Sequence, residues 1–494
     1  MTQKAISKIY SICKAVSIRS RLASVNLNLD SHLKIQNGKA MNRKHRITAW
    51  LVLLRVSAFG FQLTTVFAQG VIFTTNVYDV GQRPVCVAPA DVNGDGKLDL
   101  ICANAGDNTV TVLTNNGSGF FGSNATLNVV SSPFSVIAID VNGDGKLDLI
   151  CANGGQFPNF DDRLTVFTNN CNGGFGSNAT LTVGSYPVCV VAADVNGDGK
   201  MDLICANSRD DTLTVLTNNG SGGFGFNAIL TVGKTPVCVV AADVNGDGKP
   251  DLICGNLIGS LTVLTNNGSG GFGSNATLTV GSYPFSVVAV NFNGNGKPDL
   301  ICANEGDNTL TVLTNNGSGG FGSNATLNVG SSPYCVVAAD VNGDGKPDLI
   351  CANSGDHTLT VLTNNGSGGF GPNATLNVGS GPMDVVAADV NGDGKLDLIC
   401  ANNYDSTLTV LNNTTIFPPP NSTPSLTINL QGNNMRVSWP SASAGWSLQQ
   451  NPNLTTSQWG PSGYGGYGIS DDGTNKSLTM PSTPGNSFFR LLHP

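Results

Sequence analysis

The chain has 494 residues, 12% of them charged, with a formal net charge of −8, 62 glycines and 13 cysteines. A charged share about half the usual one leaves a surface of Asn, Thr, Ser and Gly, and no basic patch recommends nucleic acid as a partner. Beyond the first 68 residues only His357 and His493 remain, on unrelated segments, which argues against a Ser-His-Asp or Cys-His catalytic arrangement.

At the start of the chain, Arg43-Lys44-His45-Arg46 precedes an apolar stretch from Ile47 that ends at Val66-Phe67-Ala68. A charged region, an apolar region and a small-residue end make a signal peptide. Residues 1–68 are therefore expected to be a leader, with Gln69 opening the mature chain and Met41 as the true translation start. A transmembrane anchor is the alternative, opposed by Arg55 inside the apolar stretch. No other segment is long enough to span a bilayer. The expected location is secreted, extracellular or cell-surface.

Residues 69–416 carry seven copies of an acidic loop written D-x-N-G-D-G-K-x-D, spaced by 49, 54, 49, 48, 49 and 49 residues. Such a period marks supersecondary modules stacked on their neighbours. Six copies are complete. They offer Asp91, Asn93, Asp95, Lys97 and Asp99; Asp140, Asn142, Asp144, Lys146 and Asp148; Asp194, Asn196, Asp198, Lys200 and Asp202; Asp243, Asn245, Asp247, Lys249 and Asp251; Asp340, Asn342, Asp344, Lys346 and Asp348; and Asp389, Asn391, Asp393, Lys395 and Asp397. Calcium takes six to eight hard oxygen ligands. In each copy the Asp and Asn side chains supply oxygens and the Lys adds its backbone carbonyl, with its ammonium pointing outward. Glycines at positions four and six permit the positive-φ turns that wrap nine residues around an ion. Without a cation, carboxylates about 5 Å apart would repel by up to ~3 kcal/mol per pair at an effective dielectric of ~20. About six calcium ions are expected. The fifth copy keeps one charge: Asn291, Asn293 and Asn295 precede Asp299, so that site should be empty or the weakest.

An EF-hand needs a Glu at its twelfth position and flanking helices; here the twelfth residue is Cys102, Cys151 or an equivalent Cys. A dockerin module also carries helices after its loops. The flanks here are short and rich in Val, Ile, Leu and Cys, which is strand composition. In the fourth unit the strands are read as Val237–Ala242, Asp251–Cys254, Ser260–Thr265 and Ala276–Val280, with Phe272-Gly273 ahead of the last. The first is apolar almost throughout, as suits a strand covered on both faces. Four-stranded units repeated about an axis give an all-β, seven-bladed β-propeller. The seventh unit lacks a fourth strand after Thr407–Leu411, while Val71–Val80 has the spacing of one. The N-terminal strand is therefore expected to close the last blade and remove an open edge.

The loops, the Phe-Gly pairs (Phe121-Gly122, Phe175-Gly176, Phe224-Gly225, Phe272-Gly273, Phe321-Gly322, Phe370-Gly371) and the Asn-Asn-Gly-Ser-Gly-Gly turns closely resemble the FG-GAP or VCBS repeat family, which includes the integrin α-chain propellers. The resemblance covers about Val71 to Leu411. It implies calcium held in β-hairpin loops and an extracellular binding or adhesive role. Gly-Ser-x-Pro corners, where the family has Gly-Ala-Pro, and the fifth loop are the departures.

The distinctive departure from the repeat is a five-residue insertion, Gln156 to Phe160, between the second and third strands of unit two. Phe157 and Phe160 are the candidate ligand contacts, because loops that break a repeat often carry function. Cys86, Cys189, Cys238 and Cys335 each precede a second-strand cysteine by 16 residues. Disulfides are chemically possible outside the cell, but Ser135, Ser286 and Asp384 hold the partner position elsewhere, so packing as small apolar groups is favoured. Residues 417–424 form a Pro-rich linker. Residues 425–494 read as a small β module with strands near Ser425–Leu430, Met435–Trp439, Trp446–Gln449, Lys476–Met480 and Phe488–Leu492, its Trp439, Trp446 and Trp459 serving a small core. The sequence thus points to a calcium-binding, non-catalytic scaffold for an extracellular glycan or protein. A carbohydrate-binding lectin is the second reading and a calcium-dependent polysaccharide lyase the third.

Overall fold

Strand β1 (Phe73–Asp79) is followed by the first repeat: β2 (Pro84–Ala90), β3 (Asp99–Asn104), β4 (Thr109–Asn115) and β5 (Phe121–Asn128). The computed structural model describes residues 71–156, 159–170, 174–415, 426–431, 434–440, 447–451, 460–461, 469–471, 475–481 and 488–492. The leader with its signal segment, Phe157, Cys171, the linker 417–424, Trp446 and Trp459 lie outside the described residues. Among the described residues there is no α-helix, and one 3-10 turn spans Glu305–Asp307. The protein is all-β.

The four-strand order of β2 to β5 recurs in six antiparallel sheets. A seventh is made by Pro382–Ala388, Asp397–Asn402, Thr407–Asn413 and β1. There β1 pairs from Phe73 opposite Asn413 to Asp79 opposite Thr407. The Ile72 carbonyl accepts the Thr414 N–H at 2.7 Å, and the Thr415 hydroxyl accepts the Ile72 N–H at 2.9 Å. The strand expected to complete the last unit does so.

The sequence Asp-Leu-Ile-Cys-Ala-Asn explains how the sheets stack. Alternate residues of a strand face opposite sides. Leu100 and Cys102 pack with Val390, Ile399, Ala401, Leu408 and Val410 of the last repeat. Ile101 and Ala103 pack with Val136, Leu149, Cys151 and Phe167 of the second. All six residues of β3 are buried. The same arrangement gives one apolar cluster between each pair of consecutive repeats. Each first strand touches that of the next repeat, and β2 also touches Pro382–Ala388.

Three details differ from the sequence reading. The strands buried on both faces are the second and, nearly throughout, the third; β2 is fully buried only at Pro84, Val87 and Ala90. The fourth strand begins at the Phe-Gly pair, as in Phe272–Thr279, because a bulge lets Phe272 pair with Asn266 and Gly273 with Thr265. The insertion of repeat two extends both flanking strands, with Gly155 opposite Phe160 and Gln156 opposite Asn159.

The C-terminal residues form a four-stranded and a three-stranded sheet, over Thr427–Gln431, Asn434–Pro440, Ser447–Asn451, Asn475–Pro481 and Phe488–Leu492, with short pairings at Gly460–Pro461 and Ser470–Asp471. Trp439 packs with Val437, Leu448 and Leu478.

Candidate metal centre

Each acidic loop joins a first strand to a second, so all seven emerge at one end of the sheets; the corners between repeats lie at the other. In loop one the Asp91 carboxylate folds the loop around itself. Its Oδ1 accepts the Gly94 N–H at 2.8 Å and the Asp95 N–H at 3.2 Å, and its Oδ2 accepts the Gly96 N–H at 2.8 Å. Asn93 Oδ1 accepts the Asp95 N–H at 2.9 Å, and Asp95 Oδ1 accepts the Lys97 N–H at 3.0 Å. Gly94 and Gly96 have φ of 77° and 81°, and a Cβ on either would meet nothing within 4 Å. Glycine is needed for backbone conformation, not for space. Asp140, Asp194, Asp243, Asp340 and Asp389 accept the amides of both loop glycines in the same way.

The last acid of each loop opens the second strand and is fully buried. Asp99 Oδ1 accepts the Asn115 N–H at 2.8 Å and Oδ2 accepts the Val92 N–H at 3.2 Å. Burial raises its pKa, the two amides oppose that, and the nearby charges of Asp95 and Asp91 raise it further. Asp148, Asp202 and Asp251 are raised by burial in the same manner. Asp348 and Asp397 are pushed up to about 6, again by burial first, with neighbouring loop acids adding to it. Asp140 ends below the ordinary carboxylate value: burial raises it, and the amides of Gly145, Gly143, Asn142 and Asp144 outweigh that.

The lysines depart from expectation. Lys97 does not point away; its ammonium lies 3.4 Å from Asp95 Oδ2. Lys146, Lys200, Lys249, Lys346 and Lys395 lean back likewise at 3.6 to 3.9 Å. Lys249 and Lys346 also donate to the Asn267 and Asn365 carbonyls, at 2.9 and 3.2 Å, closer than their acids.

Among the described residues no group of three or more His, Cys, Asp or Glu side chains is by itself arranged to hold a metal ion. A calcium shell here would have to draw on Asn93 and the Lys97 carbonyl besides Asp91, Asp95 and Asp99. The chemistry of that donor set fits calcium: all oxygens, from carboxylates, a carboxamide and a carbonyl. Burial and the neighbouring carboxylates both disfavour charge on Asp99 in the folded chain.

Loop five lacks the cradle. Asn295 N–H to Asn293 Oδ1 and Lys297 N–H to Asn295 Oδ1 persist, at 3.0 and 2.8 Å. Asn291 Oδ1 and Asp299 Oδ2, however, are buried with no hydrogen-bond partner. A carboxamide has one oxygen where the carboxylate has two, and cannot gather three amides. Phe292 takes the place of the usual Val and is 1% exposed, with its ring 5.4 Å from that of Phe370.

Sequence reasoning missed two sets of residues that join the repeats. Asn115, ending β4, donates to Leu98 O at 2.9 Å and to Val390 O of the last repeat at 2.6 Å. Asn169, Asn218, Asn266, Asn315, Asn364 and Asn413 reach Val92, Val141, Val195, Val244, Phe292 and Val341 in the same sense. The second set is the third residue of each first strand. Cys86, Cys189 and Cys335 donate their thiols to Val136, Val239 and Val385 carbonyls of the next repeat. Ser135 and Ser286 accept the Val190 and Val336 N–H groups, and Ser286 also donates its hydroxyl to the Val336 carbonyl. Asp384 accepts the Val87 N–H at 2.8 Å and the Cys335 thiol at 3.1 Å. Burial raises the Asp384 pKa and that of the thiols around it. The signal was in the sequence: one repeat position varies only among Cys, Ser and Asp, all of which hydrogen-bond. All cysteines among the described residues are free. Cys86 sits opposite Ala103 and Cys102 opposite Val87, so the two thiols face opposite sides of the sheet and cannot be bridged.

At the corner end, Phe160 is part-buried, 5.1 Å edge-on to Tyr186, with the Arg209 guanidinium 4.0 Å over its ring. Phe157 is outside the described residues.

Stacked four-stranded sheets with an acidic hairpin loop at one end of each define a propeller-type repeat protein. FG-GAP-like repeats match at residues 91–151, 140–205, 194–254, 243–302, 291–351 and 340–400, and the chain belongs to that family. No curated protein matches it in sequence. Among solved structures it is similar to BBS1N in complex with ARL6DN, in a crystal soaked with mercury. The identity is 12% and the TM-score 0.52, over 71% of this chain and 100% of that one. A crystal of the same complex soaked with lead gives 12% and 0.53, over 70% and 98%. These likenesses show the fold. No helix among the described residues is long and apolar enough to cross a membrane.

Proposed function

We propose that the chain is a secreted, calcium-binding β-propeller whose seven sheets close into one ring, and that it serves as a non-catalytic binding or adhesion scaffold. The observation that carries the calcium reading is the same side-chain cradle repeated at six loops and lost at the one loop whose acids are amides. Asp91, Asn93, Asp95, Asp99 and the Lys97 carbonyl would hold the ion, with the equivalent residues doing so in the other complete loops. Bound calcium would supply the positive charge that the buried acids lack and so tie each loop to its sheet. The histidine of the ring supports a non-catalytic role, because His357 Nδ1 accepts the Gly381 N–H at 3.0 Å and holds a corner. Export is supported by the signal-like segment ending at Ala68. Calorimetric titration of calcium into chelator-stripped mature protein tests the reading. Saturable, multi-site binding that is weakened by Asp91→Asn supports it, and no heat at millimolar calcium refutes it.

A further inference from the structure

Asn-Gly peptides recur through the repeats, and each is a place where the chain can react with itself. The glycine nitrogen can attack the Asn side-chain carbonyl, because glycine has no Cβ to obstruct the approach. What restrains the reaction in a fold is whatever holds that glycine N–H. In the six complete loops the glycine after the Asn donates to the first Asp, as Gly94 does to Asp91 Oδ1 at 2.8 Å. In the turns after the third strands the glycine donates to the Asn two residues earlier, as Gly117 does to Asn115 Oδ1 at 2.8 Å. Gly154, after Asn153, donates to the Ser132 carbonyl at 3.1 Å.

Loop five is the exception among the described residues. It carries two such peptides in succession, Asn293-Gly294 and Asn295-Gly296. The residue placed to hold both glycine amides is Asn291, and its Oδ1 is buried with no hydrogen-bond partner. Where Asp91 takes the Gly96 N–H on its second oxygen, Asn291 has an NH2 group, which donates and cannot accept. Gly294, Asn295 and Gly296 are exposed, whereas Asn293 is part-buried. The Lys297 N–H donates to Asn295 Oδ1 at 2.8 Å, which draws electron density away from the carbonyl carbon under attack. In the complete loops the held amide also faces a carboxylate, whose charge opposes the loss of the N–H proton. Loop five has no carboxylate at that position.

We propose that Asn295 is a self-modification site, which deamidates in the folded chain ahead of every other Asn-Gly peptide among the described residues. The Gly296 nitrogen gives up its proton and bonds to Asn295 Cγ. The Cγ–Nδ2 bond breaks, and the side-chain nitrogen leaves as ammonia with that proton. Water then opens the cyclic imide at either carbonyl, to give Asp or isoaspartate. The Asp product stands where Asp95 stands in loop one, so the loop regains an acid that its sequence does not encode. This goes beyond the calcium reading and does not depend on it.

The test is incubation of the folded mature chain in chelator at mildly alkaline pH, with conversion at each Asn followed by peptide mapping and mass spectrometry. Asn295 should convert about tenfold or more faster than Asn93 and its equivalents, the size of one charge-assisted hydrogen bond broken before the attack. In urea the difference should largely disappear, because every such glycine amide is then free. Asn291→Asp restores both acceptors and should slow Asn295 to the rate of Asn93, with circular dichroism showing that the variant is folded. Equal rates at Asn295 and Asn93 in the folded wild type would overturn the inference. Fast conversion that persists in folded Asn291→Asp would overturn it too, because the free amides are then not the cause. The readout is mass, so either failure leaves the calcium reading to its own titration.

Discussion

Asn115→Ala tests whether the first and last repeats meet as any other pair does. Asn115 is 4% exposed. Its amide donates to Val390 O at 2.6 Å across the seam and to Leu98 O at 2.9 Å, and its oxygen accepts the Gly117 N–H at 2.8 Å. Alanine strands two carbonyls and an amide. At about 1–3 kcal/mol per buried group left unpaired, less what relaxation recovers, the loss should be about 3–5 kcal/mol. Asn266 is the internal control: it reaches Val195 O at 2.9 Å across an ordinary seam, Pro250 O at 3.1 Å and the Gly268 N–H at 2.8 Å. Urea unfolding of the two variants should give losses equal within about 1 kcal/mol. In an open array Asn115→Ala would forfeit only its local bonds. A loss smaller than that of Asn266→Ala by more than about 1 kcal/mol would refute ring closure.

Chelation should lower the melting temperature sharply. A site occupied at ten times its dissociation constant contributes ~1.4 kcal/mol, so six give ~8 kcal/mol, against the ~5–15 kcal/mol of a typical domain; an unchanged scan in chelator contradicts this. In chelator, the folded protein holds protons on Asp348 and Asp397 up to about pH 6, where the unfolded chain has already released them. The folded state then binds more protons, so stability falls as pH rises from about 4 through 6; denaturant midpoints that rise over this interval would be wrong for the account. Asp384→Ser, copying repeats two and five, should leave stability nearly unchanged, whereas Asp384→Leu strands the Val87 N–H and should cost about 1–3 kcal/mol; equal midpoints for the two substitutions would remove the stitch. The pair Asn291→Asp and Asn295→Asp should rebuild loop five and add one bound calcium per chain, read by titration against wild type.

The period, the strand types and the N-terminal closing strand were legible because each rests on local chemistry repeated many times. Asp-Leu-Ile-Cys-Ala-Asn alternates faces whatever surrounds it, and a missing fourth strand leaves a visible gap in the count. What was not legible depends on partners distant in sequence. The first strand looked doubly covered because its residues are apolar, yet it is the second and third strands that are buried between neighbouring sheets. The Phe-Gly pair was placed ahead of the fourth strand because a bulge, invisible in composition, absorbs the extra residue. The Lys of each complete loop was expected to point away, but its ammonium lies within 4 Å of an acid two residues earlier. Asn115 gave no sign of its role until Val390 stood beside it; at Cys86 the Cys, Ser and Asp variation marked a hydrogen-bonding position but could not name Val136 as its partner. In the candidate site, the donor residues could be named from the motif; that Asp99 is buried and already accepts two amides could not.

The most direct measurement is the metal content of the purified mature chain, by elemental analysis after equilibration in millimolar calcium. Six complete loops predict about six calcium ions per chain, with loop five contributing little. A content near zero, with the chain folded, would contradict the account.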